Sequence, residues 1–310
     1  MTETPRVYIL RNPGAALSGG EYELFEWTDV NEPVDLVNPV LFLHGVEYCG
    51  VDEVLKDLVY PFERSAGLAN SERRDFVVLC WDSRLVRGAE REQLQMTDRN
   101  RLRLILTRIG RWNSYLGDAE RRARGAAEFF EPYFSKLAQM GAGRFGQEML
   151  VVSHSLGGYL WASFLKSALK KGMLVPRCTW WNFQPAMPRT SFCPGGEFHE
   201  VLGHFNGPST LGDTVARHHD AKIVLWYSRI DFILATLYRV AKGNFALGHL
   251  GAPGAGERAL KQVDVTRLAG ESHGSNKLFS SARCFFTRIA PFIRHELSLM
   301  KLERQRTLGY

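Results

Sequence analysis

Three side chains in this sequence have the types and the order needed for nucleophilic chemistry: Ser155, Asp231 and His273. Ser155 lies in Val151-Val152-Ser153-His154-Ser155-Leu156-Gly157-Gly158, between an apolar strand-like run and a helix-like run. A serine hydroxyl at its ordinary pKa is a weak nucleophile. It needs an adjacent base, and the base needs an acid to orient it. It must also be lifted out of the sheet on a tight strand-to-helix turn, which small residues two positions before and after it permit without clashes. Ser153 and Gly157 fill those two places. The backbone N–H of Leu156, opening the next helix, then faces the place where an oxyanion would develop. Asp231 follows the apolar run 223–227, in Ser228-Arg229-Ile230-Asp231. His273 follows the run 263–268, in Ala269-Gly270-Glu271-Ser272-His273-Gly274.

Rival residues rank lower. Ser153 sits one step too early in the turn, and its partner two residues on is Ser155 rather than glycine. His249, in Leu247-Gly248-His249-Leu250-Gly251, precedes the last expected strand instead of following it. His154 reads as packing within the turn. Among acids, Asp264 falls inside an expected strand and Asp220 before one. A metal site is disfavoured: the adjacent His218-His219-Asp220 cannot readily present a tetrahedral set, and no cysteine or carboxylate spacing completes it with His199 and His204.

The elements that must position these groups are legible as an alternation of apolar runs and helical segments, which predicts an α/β fold with a mostly parallel sheet. Strands are expected at 7–10, 21–27, 40–43, 76–81, 149–152, 178–183, 223–227 and 263–268. The run 40–43 ends at His44-Gly45, as a buried strand should. Apolar residues at helical spacing predict helices at 52–63, 160–169 and 232–241, and at 278–299 with an interruption at Pro291. One or two long helices are expected within 90–140. Trp180 and Trp181 are expected in the core. With no internal repeat or low-complexity linker, residues 1–310 read as one domain, into which 187–220 is inserted.

Length and composition set the outer bounds. With 310 residues, 45% hydrophobic and 23% charged, a large core is available, and fibrous or largely disordered classes are excluded. No apolar run has the length of a membrane span, and Met1–Leu10 lacks the pattern of a secretory signal. The scattered cysteines Cys49, Cys80, Cys178, Cys193 and Cys284 contain no CxxC pair and read as reduced thiols in a cytoplasmic protein. The net charge of +6 belongs to one segment: residues 84–124 hold eleven arginines, no lysine and five acids, while the rest of the chain balances. That segment lacks lysine and has few stacking aromatics, which argues against nucleic acid. Leu102, Leu104, Ile105, Leu106 and Ile109 alternate with its arginines, so its default reading is a half-buried helix with a solvated face. Weak association with an anionic membrane surface is the alternative.

Taken together, PVLFLHG, VVLCWDS, VVSHSLGG, YSRIDFIL, LGHLGAPG and VDVTRLAGESHG, spread over residues 39–300, resemble the α/β-hydrolases. The resemblance is to bacterial members of unassigned function, kin to lipase-like and GPI inositol-deacylase-like serine esterases. Ser153 departs from the family's Gly-x-Ser-x-Gly, a sterically mild change. The resemblance implies an α/β-hydrolase fold with helices on both faces of the sheet. It implies Ser155, Asp231 and His273 as a catalytic triad, and hydrolysis of a carboxylic ester, small-molecule or lipid, through an acyl-enzyme without a cofactor. It also places the second oxyanion donor after the third strand, where the N–H of Val46 is the candidate and Gly45 permits the tight turn. A glycine-containing strand end is common in any α/β protein, so that pair is weak by itself. Caps often occupy the place of 187–220, where Phe192, Phe198, Phe205 and Leu211 would line an acyl pocket or else anchor a packed loop. A non-catalytic binding protein on the same scaffold, or an acyltransferase using the same triad, are the alternatives. Fold membership fixes neither substrate nor oligomeric state.

Overall fold

A computed structural model of the chain describes residues 6–11, 23–46, 51–67, 74–83, 111–142, 149–176, 178–206, 223–253, 260–271, 273 and 285–307. Eight strands are described: β1 (Arg6–Arg11), β2 (Glu23–Glu26), β3 (Val40–Leu43), β4 (Phe76–Cys80), β5 (Met149–His154), β6 (Cys178–Phe183), β7 (Ile223–Tyr227) and β8 (Leu260–Asp264). They form one sheet in the order β2-β1-β4-β3-β5-β6-β7-β8. Every neighbouring pair is parallel, so the expected mostly parallel sheet is parallel throughout the described strands.

Parallel strands need crossovers, and helices supply them on both faces. The helical run α1 spans 51–66 and contains a π-helical stretch, Leu55–Val59. Further along the chain come α2 (Trp112–Ala142) and α3 (Leu156–Lys170), then α4 (His199–Asn206). Next is α5, whose π-helical stretch Ile233–Tyr238 continues as Arg239–Lys242, followed by the short α6 (Leu247–Leu250) and α7 (Thr266–Ala269). The last is α8 (Phe285–Thr307).

Side chains on a strand alternate between faces, and the core divides accordingly. Leu41 and Leu43 of β3, with Val77 and Leu79 of β4, join Ala123 and Phe134 of α2 and Leu160 and Phe164 of α3 in one cluster. Val40, Phe42, Phe76 and Val78 point the other way, onto Leu58 and Phe62 of α1 and Phe286 and Ile289 of α8. Trp180 and Trp181 are both fully buried, one on each face. Phe192 and Phe198, expected as pocket lining or loop anchors, are packed into the first cluster, Phe192 against Trp180 and Phe198 against Tyr159. Phe205 packs at its edge. Leu211, most of the Arg-rich segment and Cys49 and Cys284 lie outside the described residues; Cys80, Cys178 and Cys193 are free thiols.

Two expected elements differ. The last strand occupies Leu260–Asp264 rather than 263–268, because Asp264 Oδ1 accepts the Thr266 N–H (2.9 Å) and turns the chain into α7. The closing helix is not interrupted: α8 runs through Pro291. The carbonyl four residues before Pro291 belongs to Thr287, and both residues are exposed, so the acceptor that proline leaves open lies on the outer face of the helix. Among the described residues no helix is long and apolar enough to cross a membrane.

The topology creates one place for a site. After β3 the chain turns into α1 on one face, and after β5 it turns into α3 on the other. Since β3 and β5 are neighbours, the chain leaves their carboxyl ends toward opposite faces, the point at which such sheets hold their ligands.

Candidate active site

Ser155 stands at that point, between the end of β5 and the first residue of α3. Its backbone is at φ 54°, ψ −120°, a region an L-residue rarely adopts. Such a conformation costs ~1–3 kcal/mol and persists only where neighbours hold it. They do: the Ser155 N–H donates to the Phe183 carbonyl (3.0 Å), and the Ser155 carbonyl accepts from Gly158 and Ala186 (3.2 Å each). Glycine is required beside it. A Cβ on Gly157 would lie 2.1 Å from the Leu43 carbonyl oxygen, and one on Gly45 would lie 2.7 Å from Ser155 Cβ. The helix start and the end of β3 therefore meet backbone to backbone.

The hydroxyl, the imidazole and the carboxylate form a continuous chain. Ser155 Oγ is 3.0 Å from His273 Nε2, and His273 Nδ1 is 2.7 Å from Asp231 Oδ2. An ionised carboxylate only accepts, so Nδ1 carries the imidazole proton and Nε2 accepts from the Ser155 hydroxyl. All three side chains are buried, Asp231 completely. Loop-to-loop bonds place the acid against the base. Ser228 Oγ donates to the Gly270 carbonyl (2.8 Å), the Arg229 N–H to Thr266 Oγ1 (2.8 Å) and the Phe232 N–H to the Glu271 carbonyl (3.4 Å). Asp231 Oδ1 accepts the Leu234 N–H (3.0 Å) at the start of α5, which fixes the second carboxylate oxygen.

The expected oxyanion elements converge on the same turn. Leu156 is the first residue of α3, where a backbone N–H has no intrahelical acceptor. Gly45 packs on Ser155, and the half-buried Val46 packs against the core next to it.

The rival residues are engaged elsewhere. Ser153 Oγ is buried, donating to Asn182 Oδ1 (2.9 Å) and accepting from Trp180 Nε1 (2.7 Å). His249 Nε2 is bonded to the Arg229 carbonyl (2.7 Å), and Asp264 pairs with Arg229 (3.0 Å). His199 Nδ1 faces the Phe192 carbonyl (3.3 Å). His218, His219 and Asp220 lie outside the described residues. Among the described residues no group of three His, Cys, Asp or Glu side chains is arranged to hold a metal ion.

Three residues shape the site without having been singled out from the sequence as participants. His44 stacks on Trp81 with ring centroids 5.6 Å apart, accepts the Trp81 N–H at Nε2 (3.2 Å) and so donates from Nδ1 to the Gly45 carbonyl (2.9 Å). Burial pushes its imidazole down to about 4. His154 lies against the base, 4.9 Å between ring centroids, and burial, reinforced by His273, holds it well below the usual histidine range. Gln184 donates from Nε2 to Asp231 Oδ2 (2.7 Å). The signal for Gln184 was its place: a polar residue at the carboxyl end of the strand beside β5. No protein-family model matches the chain, and no curated protein matches it.

Proposed function

We propose that the protein is a serine hydrolase of the α/β-hydrolase type that cleaves a carboxylic ester through an acyl-enzyme on Ser155. The observation that carries this reading is the unbroken Ser155–His273–Asp231 chain, with the serine on a strained strand-to-helix turn. The strand order β4-β3-β5-β6-β7-β8, with the nucleophile after β5, the acid after β7 and the base after β8, is compatible with that fold family.

In the reaction His273 Nε2 takes the Ser155 proton as Oγ bonds to the ester carbonyl carbon. The carbonyl becomes a tetrahedral oxyanion, held by the N–H groups of Leu156 and Val46. Asp231 holds the imidazole tautomer and stabilises the imidazolium. His273 then returns the proton to the departing alkoxide, leaving the acyl group on Ser155. Water repeats the sequence: it attacks the acyl carbon as His273 takes its proton, and Ser155 leaves with that proton restored. His154 must stay neutral throughout, because a second positive ring beside His273 would oppose the imidazolium. Its burial supports that requirement.

The test is turnover of p-nitrophenyl esters of graded acyl length by the wild type and by Ser155→Ala. Wild-type turnover abolished by the substitution is expected. Equal rates for the two proteins would overturn the reading.

A further inference from the structure

The three proposed catalytic groups do not exhaust the hydrogen bonds at this site. We propose that Gln184 is a positioning residue: its side-chain amide donates to Asp231 and holds the carboxylate in the orientation that His273 needs. This rests on the serine-hydrolase reading above.

Gln184 is fully buried and, besides Ser155, one of only two non-glycine residues among those described with positive φ (44°). A left-handed conformation costs a residue with a Cβ ~1–2 kcal/mol, so its surroundings must impose it. They do so from two sides. The Gln184 N–H donates to the Trp226 carbonyl on β7 (2.8 Å), and Gly248 presses so close that a Cβ there would lie 2.3 Å from the Gln184 carbonyl carbon. The backbone kink comes directly after β6, where an extended chain would carry the side chain on along the strand.

Asp231 Oδ2 accepts both His273 Nδ1 and Gln184 Nε2, each at 2.7 Å, while Oδ1 accepts the Leu234 N–H at 3.0 Å. Three donors from three elements hold the carboxylate in this rotamer. Only the NH2 end of an amide can donate to a carboxylate, so Oε1 is committed as an acceptor. Gln184 thus stands behind the acid that orients the base. It touches no reacting atom and acts through Asp231.

The experiment follows phosphonylation of Ser155 by a fluorophosphonate, and p-nitrophenyl ester kinetics, against pH for wild type, Gln184→Met and Gln184→Glu, each checked for folding by thermal melting. Gln184→Met is expected to lose about tenfold in kcat with KM unchanged, through a loosened Asp231. Gln184→Glu faces Asp231 as a second carboxylate and can donate only when protonated. Its rate relative to wild type therefore rises as pH falls, a trend that decides the matter even if the methionine variant does not fold. Wild-type labelling at Ser155, with both variants sharing the wild-type kcat at every pH, would overturn the positioning role and leave the hydrolase reading standing. No labelling of the folded wild type would remove both.

Discussion

Replacing Gly45 with alanine separates the stability of the fold from the alignment of Ser155. The new Cβ would lie 2.7 Å from Ser155 Cβ, 3.1 Å from the His154 carbonyl oxygen and 3.2 Å from His154 Nδ1. Relaxed carbon–carbon contact is ~3.5–4.0 Å, so the two Cβ atoms must part by about 1 Å. Ser155 is the neighbour that has to give way, and it is already held at φ 54°. Overpacking of this size costs ~1–3 kcal/mol of folding stability. Misplacing a reacting atom by ~1 Å costs about 10²-fold in rate. The assay is urea unfolding alongside the rate of fluorophosphonate labelling. Gly172→Ala serves as the comparison: at φ +64° but with nothing within 4 Å, it should lose ~1–2 kcal/mol and label like wild type. Gly45→Ala should instead label about a hundredfold more slowly, a loss far larger than its unfolded fraction could explain. Labelling at the wild-type rate would refute the inference that the β3 loop and the nucleophile are in register.

Two further outcomes follow from the same geometry. Asp231→Asn keeps the shape but turns an acceptor-only group into one that can donate, favouring the wrong His273 tautomer; ester turnover should fall ~10³–10⁴-fold while circular dichroism stays unchanged. Acid should destabilise the protein through His44, whose imidazole is near 4 in the folded chain against 6.5 unfolded. Between those values the unfolded chain binds the proton and the folded one does not, so stability declines as pH falls through this window. The loss amounts to about 3 kcal/mol below pH 4. His154, also depressed, adds in the same direction. Denaturation midpoints against pH should fall less steeply for His44→Gln than for wild type.

The buried strands of the sheet were legible because full burial on two faces leaves a simple trace: 40–43 and 223–227 are continuous apolar or aromatic runs, 178–183 is a mostly apolar one interrupted by Thr179 and Asn182, and each is a strand with those bounds. Edges were less so. Val265 and Leu268 look like strand residues, yet Asp264 caps the turn that ends β8, a side-chain-to-backbone bond that competes with pairing. Pro291 looks like a break, but it lies on an exposed face of the helix, which continues through it. At the candidate site, the order Ser155, Asp231, His273 was readable because each follows a strand, and parallel strands gather their carboxyl ends on one edge of the sheet. Gln184 was not, since its role comes from a left-handed backbone that glutamine does not signal.

The most direct measurement of the central claim is intact-mass analysis of the folded protein after treatment with a fluorophosphonate, followed by peptide mapping. One phosphonyl adduct on Ser155, absent from Ser155→Ala and strongly slowed in Asp231→Asn, is the predicted result. An unmodified folded wild type, or an adduct that persists in Ser155→Ala, would contradict the assignment of Ser155 as the nucleophile.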